Sequence, residues 1–585
     1  MANLRMTEDE ALHYFFSLGE SDIPSGSEAS FCSDEDGEDC GERQDCSGIF
    51  NSDYEAAHIP TSNHLVSNTK AAVPPAPPTA DHVRERTVWH AGRDNAFSSN
   101  VPPPAFTGSH SVNVQGNVPY DFLKSFFPDD LIDRIVFETN QYAFQCGKIN
   151  FKVTKKEIQT FLGINIIMTY IHYPSVRMYW SSIQGMRFDL ICNAMSLNRF
   201  EEIKRFLHFV NNESKPTDEA SDRFWKLTPV ITALHNSFHA GQSPEENLAI
   251  DEMIIPFKGR SRMKQYIRGK PKRWGFKVWV RASSSGYIQC FEFYSGKDKN
   301  SRSTLGPVGD TVMRLCHDIK GKNHKLFIDN LFTSLPLIRK LRSDDILVLG
   351  TLRINRAPGV AEKLVPGKLL QRGSSTVATS DDNITVVRWM DNKEVHTISS
   401  FAGAQPESEV HRWDRKAKAI LEIPRPFSIG EYNRHMGGVD LADRMIAHYP
   451  HGFKSKKWYL RVFFHLLNMA LVNAWISYKE AKNEKIPFVT FKASVAHTLI
   501  ALGTTEVRKR GRPSSLEEAV LSKKKTVPLT VTPQVRFDGY EHWPKKAEGR
   551  EMRCRNDTCK KRTRYICSKC QVAVCPDCMQ SFITQ

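Results

Sequence analysis

The chain has 585 residues and a net charge of +15, distributed unevenly. Residues 1–60 hold 15 acidic residues against two arginines, so the other 525 residues carry a net +28. A body that basic points to a polyanionic partner, above all nucleic acid. No stretch reaches the roughly 18 uninterrupted apolar residues of a membrane span. The nearest, Trp458–Ile476, is broken by Arg461, His465, Asn468 and Asn473, so no membrane association is expected. An N-terminus with Glu8, Asp9 and Glu10 is not that of a secretory signal. Six of the 13 cysteines crowd between 554 and 578, which favours reduced thiols with local metal binding over a disulfide framework. The expected compartment is the nucleus.

In chain order, residues 1–116 read as disordered: an acidic head, then prolines at 74, 75, 77, 78 and 102–104 with little apolar periodicity. From about 118 the spacing turns helical. Phe122, Leu123, Phe126 and Phe127, then Leu131, Ile132, Ile135 and Val136, recur at helical intervals, and Phe200, Ile203, Phe206 and Leu207 continue the style. Near 245 the period changes. Leu248–Ile250 reads as a short buried strand, and Phe276–Ala282 with Tyr287–Tyr294 as a hairpin about Gly286. A helix is predicted over Val308–Ile319, a second short strand over Leu326–Ile328, and a further hairpin over Ile384–Met390 and Val395–Ser399. Three strands, a helix and a strand are the opening of an RNase H-like α/β core. Trp458–Ile476, apolar on every side, reads as a buried helix.

The chemistry sits on aspartates. Asp251 follows the run Leu248–Ile250, and Asp329 follows Leu326–Ile328. A carboxylate at the end of a buried strand is costly unless a cation meets it there. Asp440 and Asp443 are three apart, on one face of a helix launched by Gly437 and Gly438. Together these acids form a cage for Mg²⁺ or Mn²⁺, the equipment for metal-assisted phosphodiester cleavage. Taken singly, each could cap a turn, and Asp443 could pair with Arg444. Just after Asp251, Lys258–Lys277 holds nine basic residues and no acid, among them Lys258, Arg260, Lys264, Arg268, Lys270, Lys272 and Arg273. Tyr266, Trp274 and Phe276 are interleaved, a pattern suited to tracking phosphates. Lys456, Lys457 and Arg461 flank Trp458, which could stack on an unpaired base or cover a helix end. Arg508, Arg510 and Arg512, around Gly511 and before Pro513, read equally as a minor-groove hook, a nuclear import signal or a basic linker.

The tail spacing is Cys554-x4-Cys559-x7-Cys567-x2-Cys570-x4-Cys575-x2-Cys578, thiol pairs typical of Zn²⁺ binding.

At these residues the chain resembles a piggyBac-type DNA transposase. The resemblance rests on Asn247–Arg260, Lys264–Pro271, Phe327–Ser334, Gly350–Arg356 and Gly437–Asp440, with Leu207–Phe209 and Asp222–Leu227 upstream. It implies a helical dimerisation and DNA-binding domain (117–245 and 451–500) split around an RNase H-like catalytic domain (246–357 and 425–450). The catalytic domain carries a β-rich insertion (358–424), and a basic linker (501–538) leads to a zinc-binding domain (539–585). It also implies that Asp251, Asp329 and Asp440 bind the catalytic metal, with Asp443 accessory and Trp458 near the active site. The implied reaction is nicking of double-stranded DNA at transposon ends, a DNA hairpin made by the freed 3′-hydroxyl, and integration at TTAA by a homodimer. Relatives that became host genes keep DNA binding with altered or lost transposition. For the tail, the resemblance implies a cross-brace of two zinc ions: one held by Cys554, Cys559, Cys575 and Cys578, the other by Cys567, Cys570 and two more, of which His542 is one. A histidine expected near 583 is Ile583, leaving one zinc ion or two.

Overall fold

The computed structural model describes residues 87–97, 101–183, 185–217, 222–267, 273–296, 303–414, 417–452, 455–503, 531 and 533–584. The chain divides into two compact units, Met1–Thr505 and Glu506–Gln585.

The first unit is organised by a ten-stranded mixed sheet. Its strands are β1 (Trp89–Ala91), β2 (Asn247–Pro256), β3 (Gln265–Tyr266), β4 (Trp274–Ser283), β5 (Ile288–Phe293), β6 (His324–Ile328), β7 (Ile346–Thr351), β8 (Ser375–Ser380), β9 (Thr385–Met390) and β10 (Glu394–Ser399). At the centre, β2, β6 and β7 run parallel, while β4 pairs antiparallel with β2 and carries β3 and β5 on its other edge. The parallel strands need crossovers, which Gly306–Leu315 and Leu335–Ser343 supply as helices. These helices cover one face through Val312, Leu315, Leu337, Ile338 and Leu341, packed on Leu248, Ile250, Leu326, Ile328 and Val348. Arg281 of β4, fully buried on this side, is held by Asp318 through two 2.6 Å bonds.

The opposite face alternates with it residue by residue, as a pleated strand requires. Ala249, Phe327 and Leu349 point there, beneath Phe427 and Tyr432 of the helix Phe427–His435. Residues 358–424 do not stand apart from this sheet. The edge of β7 is open to an antiparallel partner, and β10 takes it with Thr397 opposite Thr351. β9, β8 and finally β1 extend the sheet from there, and only Ser408–Asp414 and Ala419–Arg425 pair separately as a ribbon. The reading of residues 1–116 as disordered is corrected at β1: Trp89 is buried and the strand pairs with β8.

The remaining helices build one core with the β4–β5 end of the sheet. Lys155–Ile167 begins at a capping box, Thr154 accepting from the Glu157 amide while Glu157 accepts from Thr154. It crosses Phe488–Gly503 closely at Gly163, where a Cβ would lie 2.9 Å from the Ala496 carbonyl. Trp458–Lys482 is long and apolar enough to cross a membrane, yet 94% of its apolar window is buried inside the protein. Its buried amides are used: Asn473 accepts from the Ile288 amide (2.9 Å) and donates to the Ile288 carbonyl (2.7 Å), fastening the helix to β5. Lys492 is also fully buried, donating to Asn468 at 3.2 Å.

In the second unit, Pro544–Lys546 pairs with Tyr565–Cys567 and Met552–Arg553 with Arg562–Thr563. Its core is built from cysteines with Val572, Val574, Met579 and Phe582.

Candidate active site and cysteine clusters

The parallel register brings the first two acids together. Ile250 lies opposite Ile328, and Ile328 opposite Gly350, so Asp251, Asp329 and Thr351 follow side by side on β2, after β6 and on β7. Asp251 and Asp329 share strand parity with Ala249 and Phe327, which places both on the face under Phe427–His435. Asp251 does not end its strand, as the apolar run implied: β2 continues to Pro256. The next acid along, Glu252, pairs with Lys277 of β4 at 2.6 Å. β6 does end at Ile328, as expected.

Asp329 is held in place by its neighbours. Thr351 donates to its Oδ1 at 2.8 Å, and the Asn330 amide donates to the same oxygen at 2.5 Å. The loop that follows is clamped by Arg356, which donates to the carbonyls of Asn330 (2.8 Å), Leu331 (2.9 Å) and Thr333 (3.1 Å). Asp251 accepts from the Glu252 amide at 2.7 Å.

Asp440 is in the first turn of the helix Gly438–His448, whose buried face is Val439, Ala442 and Ile446. The helix starts hard against the sheet: a Cβ on Gly438 would lie 2.2 Å from the Ser283 carbonyl at the end of β4. Gly437 has nothing within 4 Å of such a position. Asp443, one turn on, is half-buried and lines a cavity of about 200 Å³ with Glu252, His451, Arg461 and His465.

Tyr432, in the helix over this face, feels all three acids. Burial pushes its phenol well above the ordinary tyrosine value; a hydrogen bond with Thr351 works against this, and the charges of Asp329, Asp251 and Asp440 add to the rise. The sequence reading gave neither Tyr432 nor Thr351 a role, although Thr351 lies within the matched block Gly350–Arg356 and Tyr432 is eight residues before Asp440. The acids are not a tight knot. Among the described residues, the groups whose donor atoms lie within 4.8 Å of one another are two cysteine clusters.

The basic residues divide. Lys258, Arg260 and Arg273 are exposed, and Lys264 sits 4.7 Å over the Trp274 ring, itself 5.0 Å from Tyr266. Tyr266 and Trp274 are about half exposed, so this end of the sheet presents aromatic faces among cations. Arg268, Lys270 and Lys272, like Arg508, Arg510 and Arg512, lie outside the described residues. Lys456 is exposed, and Lys457 donates to the Arg205 carbonyl at 2.9 Å. Trp458 packs against Phe224 and Phe276 at the start of its helix.

A family model described as Transposase IS4 matches residues 118–475, and so spans all three aspartates. The human PiggyBac transposable element-derived protein 3 is 33% identical over 477 residues, covering 80% of this chain and 76% of the relative. The chain belongs to the piggyBac transposase family. The human PiggyBac transposable element-derived protein 2 is 30% identical over 73% of this chain and 70% of its own length. The piggyBac transposase in a synaptic complex with hairpin DNA shares the fold, at TM-score 0.59 and 21% identity over 80% of this chain and 100% of that one.

In the second unit, the cysteines separate into two groups. Cys554, Cys559, Cys575 and Cys578 form one; His542, Cys567 and Cys570, all buried, form the other. Cys559 and Cys575 sulfurs are 3.8 Å apart, the edge of a tetrahedron with arms of about 2.3 Å, as thiolates take around zinc. The donor chemistry and spacing therefore fit that ion.

Proposed function

We propose that the chain is a divalent-metal-dependent enzyme of DNA strand cleavage and transfer, acting at transposon ends with a hairpin intermediate and TTAA targets. The observation that carries this is the parallel register that sets Asp251 beside Asp329, with the helix bearing Asp440 starting hard against the end of β4. Strand order β5–β4–β2–β6–β7, with crossover helices, supports reading the centre as an RNase H-like core. The donor set is all hard oxygen, which suits Mg²⁺ or Mn²⁺. Asp251, Asp329 and Asp440 would hold them, with Asp443 accessory. Bound there, such ions supply an activated nucleophilic oxygen and neutralise charge on the leaving one.

The rest is the chain's own work. Thr351 and the Asn330 amide orient the Asp329 carboxylate, and Arg356 keeps the following loop from moving it. Gly438 sets how near Asp440 comes to the strands. Lys258, Arg260, Lys264 and Arg273, with Tyr266 and Trp274, form a surface for the DNA backbone and exposed bases. Zn²⁺ in the cysteine clusters would fix the tail as a reader of transposon-end DNA. Function as a homodimer in the nucleus completes this reading.

The test is Mg²⁺-dependent excision of a TTAA-flanked reporter, with Asp251→Asn and Asp329→Asn as controls. Excision lost in both variants, with DNA binding kept, is the expected result. A second reading follows from the relatives, named as transposable element-derived human proteins. On that reading, the chain binds nuclear DNA or chromatin without transposing, and wild type binds DNA tightly but excises nothing.

A further inference from the structure

We infer that His542, Cys567 and Cys570 form a three-ligand zinc site with one coordination position open, filled by water or by a small monodentate donor. The inference rests on the zinc reading of the tail given above. Residues 531–585 contain six cysteines and one histidine, whereas two closed tetrahedral sites require eight such donors. The structure divides the seven into four and three, with no residue common to both groups.

The group of three is built as a site. His542 Nδ1 lies 3.2 Å from the Cys567 sulfur and 3.4 Å from the Cys570 sulfur. Those spacings are close to the edge of about 3.6 Å that zinc–sulfur and zinc–nitrogen arms produce. The other ring nitrogen, Nε2, meets Asp538 at 2.9 Å, which fixes the tautomer and turns Nδ1 towards the sulfurs. Asp538 is itself engaged by Lys569 through its second oxygen at 2.5 Å. It serves as the orienting carboxylate behind the histidine, and no carboxylate oxygen of a described residue joins the three donors.

The core around these donors is closed by alkyl and aromatic side chains. Ile583 packs on the same small core as Cys567 and Cys570, beside the buried Phe582. Arg536 donates to the Phe582 carbonyl at 2.6 Å, tying the segment before His542 to the helix that carries Ile583. Closed four-ligand zinc sites are structural, whereas three-ligand sites keep an exchangeable place.

The experiment uses the full-length chain under reducing conditions. Zinc content and release to a chromogenic chelator are measured, and the vacated position is refilled with Co²⁺ for visible spectroscopy with azide or imidazole. Two zinc ions per chain are expected, one leaving at least about tenfold faster than the other. The Co²⁺ bands shift on adding azide or imidazole, and in Ile583→His the faster ion slows and the shift disappears. Two ions released together, with a Co²⁺ spectrum inert to both ligands, overturn the open position. A single bound ion, with Cys567 and Cys570 reactive as free thiols, also overturns it while leaving the four-cysteine site standing. A chain that binds no zinc at all sinks the zinc reading itself. If Ile583→His does not fold, the ligand response of the wild-type chain still decides.

Discussion

Gly438→Ala should separate capacity to fold from capacity to cut. The new Cβ falls 2.2 Å from the Ser283 carbonyl oxygen and 3.0 Å from its carbon, more than about 1 Å inside ordinary contact. The carbonyl cannot swing away, because it already accepts from the Gly286 amide in the turn after β4. The helix must therefore retreat, carrying Asp440 two residues further on by about 1 Å. A displacement of that size at a reacting centre costs on the order of a hundredfold in rate. Gly437→Ala is the matched control, since its Cβ meets nothing within 4 Å. The assay is Mg²⁺-dependent cleavage of a labelled transposon-end duplex, with urea unfolding and DNA binding measured alongside. The expected result is Gly438→Ala cleaving roughly a hundredfold more slowly, with DNA affinity unchanged and Gly437→Ala near wild type. Gly438→Ala cleaving as fast as wild type would refute the account of how Asp440 is placed.

Three further outcomes follow from single contacts. Thr351→Val removes the hydroxyl donor to Asp329 and should slow cleavage about tenfold without weakening DNA binding, measured as rate and affinity on one duplex. Asp318→Ala strands the buried Arg281 charge and should cost about 3–5 kcal/mol in urea unfolding, most of it recovered when Arg281→Met and Asp318→Leu are combined. Burial alone would raise the Asp318 carboxyl, but the Arg281 bonds and charge hold it below its ordinary value. Its contribution is thus complete above about pH 4 and fades as pH falls further. Burial pushes Lys492 down to about 7 from 10.5. The folded state then binds fewer protons than the unfolded one between those values, so this group favours folding increasingly as pH rises through the interval. Lys492→Met should therefore stabilise by about 3 kcal/mol more at pH 6 than at pH 9.5. Equal effects at both values would count against a buried, readily neutralised amine.

Much of the centre was readable because its pattern is local. The apolar runs before Asp251 and Asp329, the glycine pair before Asp440 and the cysteine spacing all lie within a few residues of the chemistry they mark. What was missed depends on distant partners. Asp251 looked like a strand end because the apolar run stops there, but β2 continues through Glu252, which meets Lys277 on the neighbouring strand. β1 is three residues long, too short for alternation to show, and its register is set by Ser380, Thr379 and Ala378. The hairpin pattern of the insertion 358–424 carries no sign of which open edge it joins, and the pairing of β10 with β7 appears only in the fold. Tyr432 lacks a local mark as well: it matters because of three charges brought to it by β2, the loop after β6 and a later helix.

The long buried helix also constrains how the protein can be made. Trp458–Lys482 and Phe488–Gly503 complete the core against which Pro119–Phe126 and Lys155–Ile167 pack. About 320 residues separate Ile167 from Phe488, an interval of roughly 15–60 s at ordinary rates of synthesis. Throughout that interval the early helices have only part of their apolar partners, such as Phe200 against Phe161 and Phe238 against Phe126, and the central sheet forms between two halves of an unfinished body. A ribosome stalled anywhere before Phe488 would therefore hold a sticky, incomplete chain, and a nascent polypeptide of this design depends on being shielded until Phe488–Gly503 arrives.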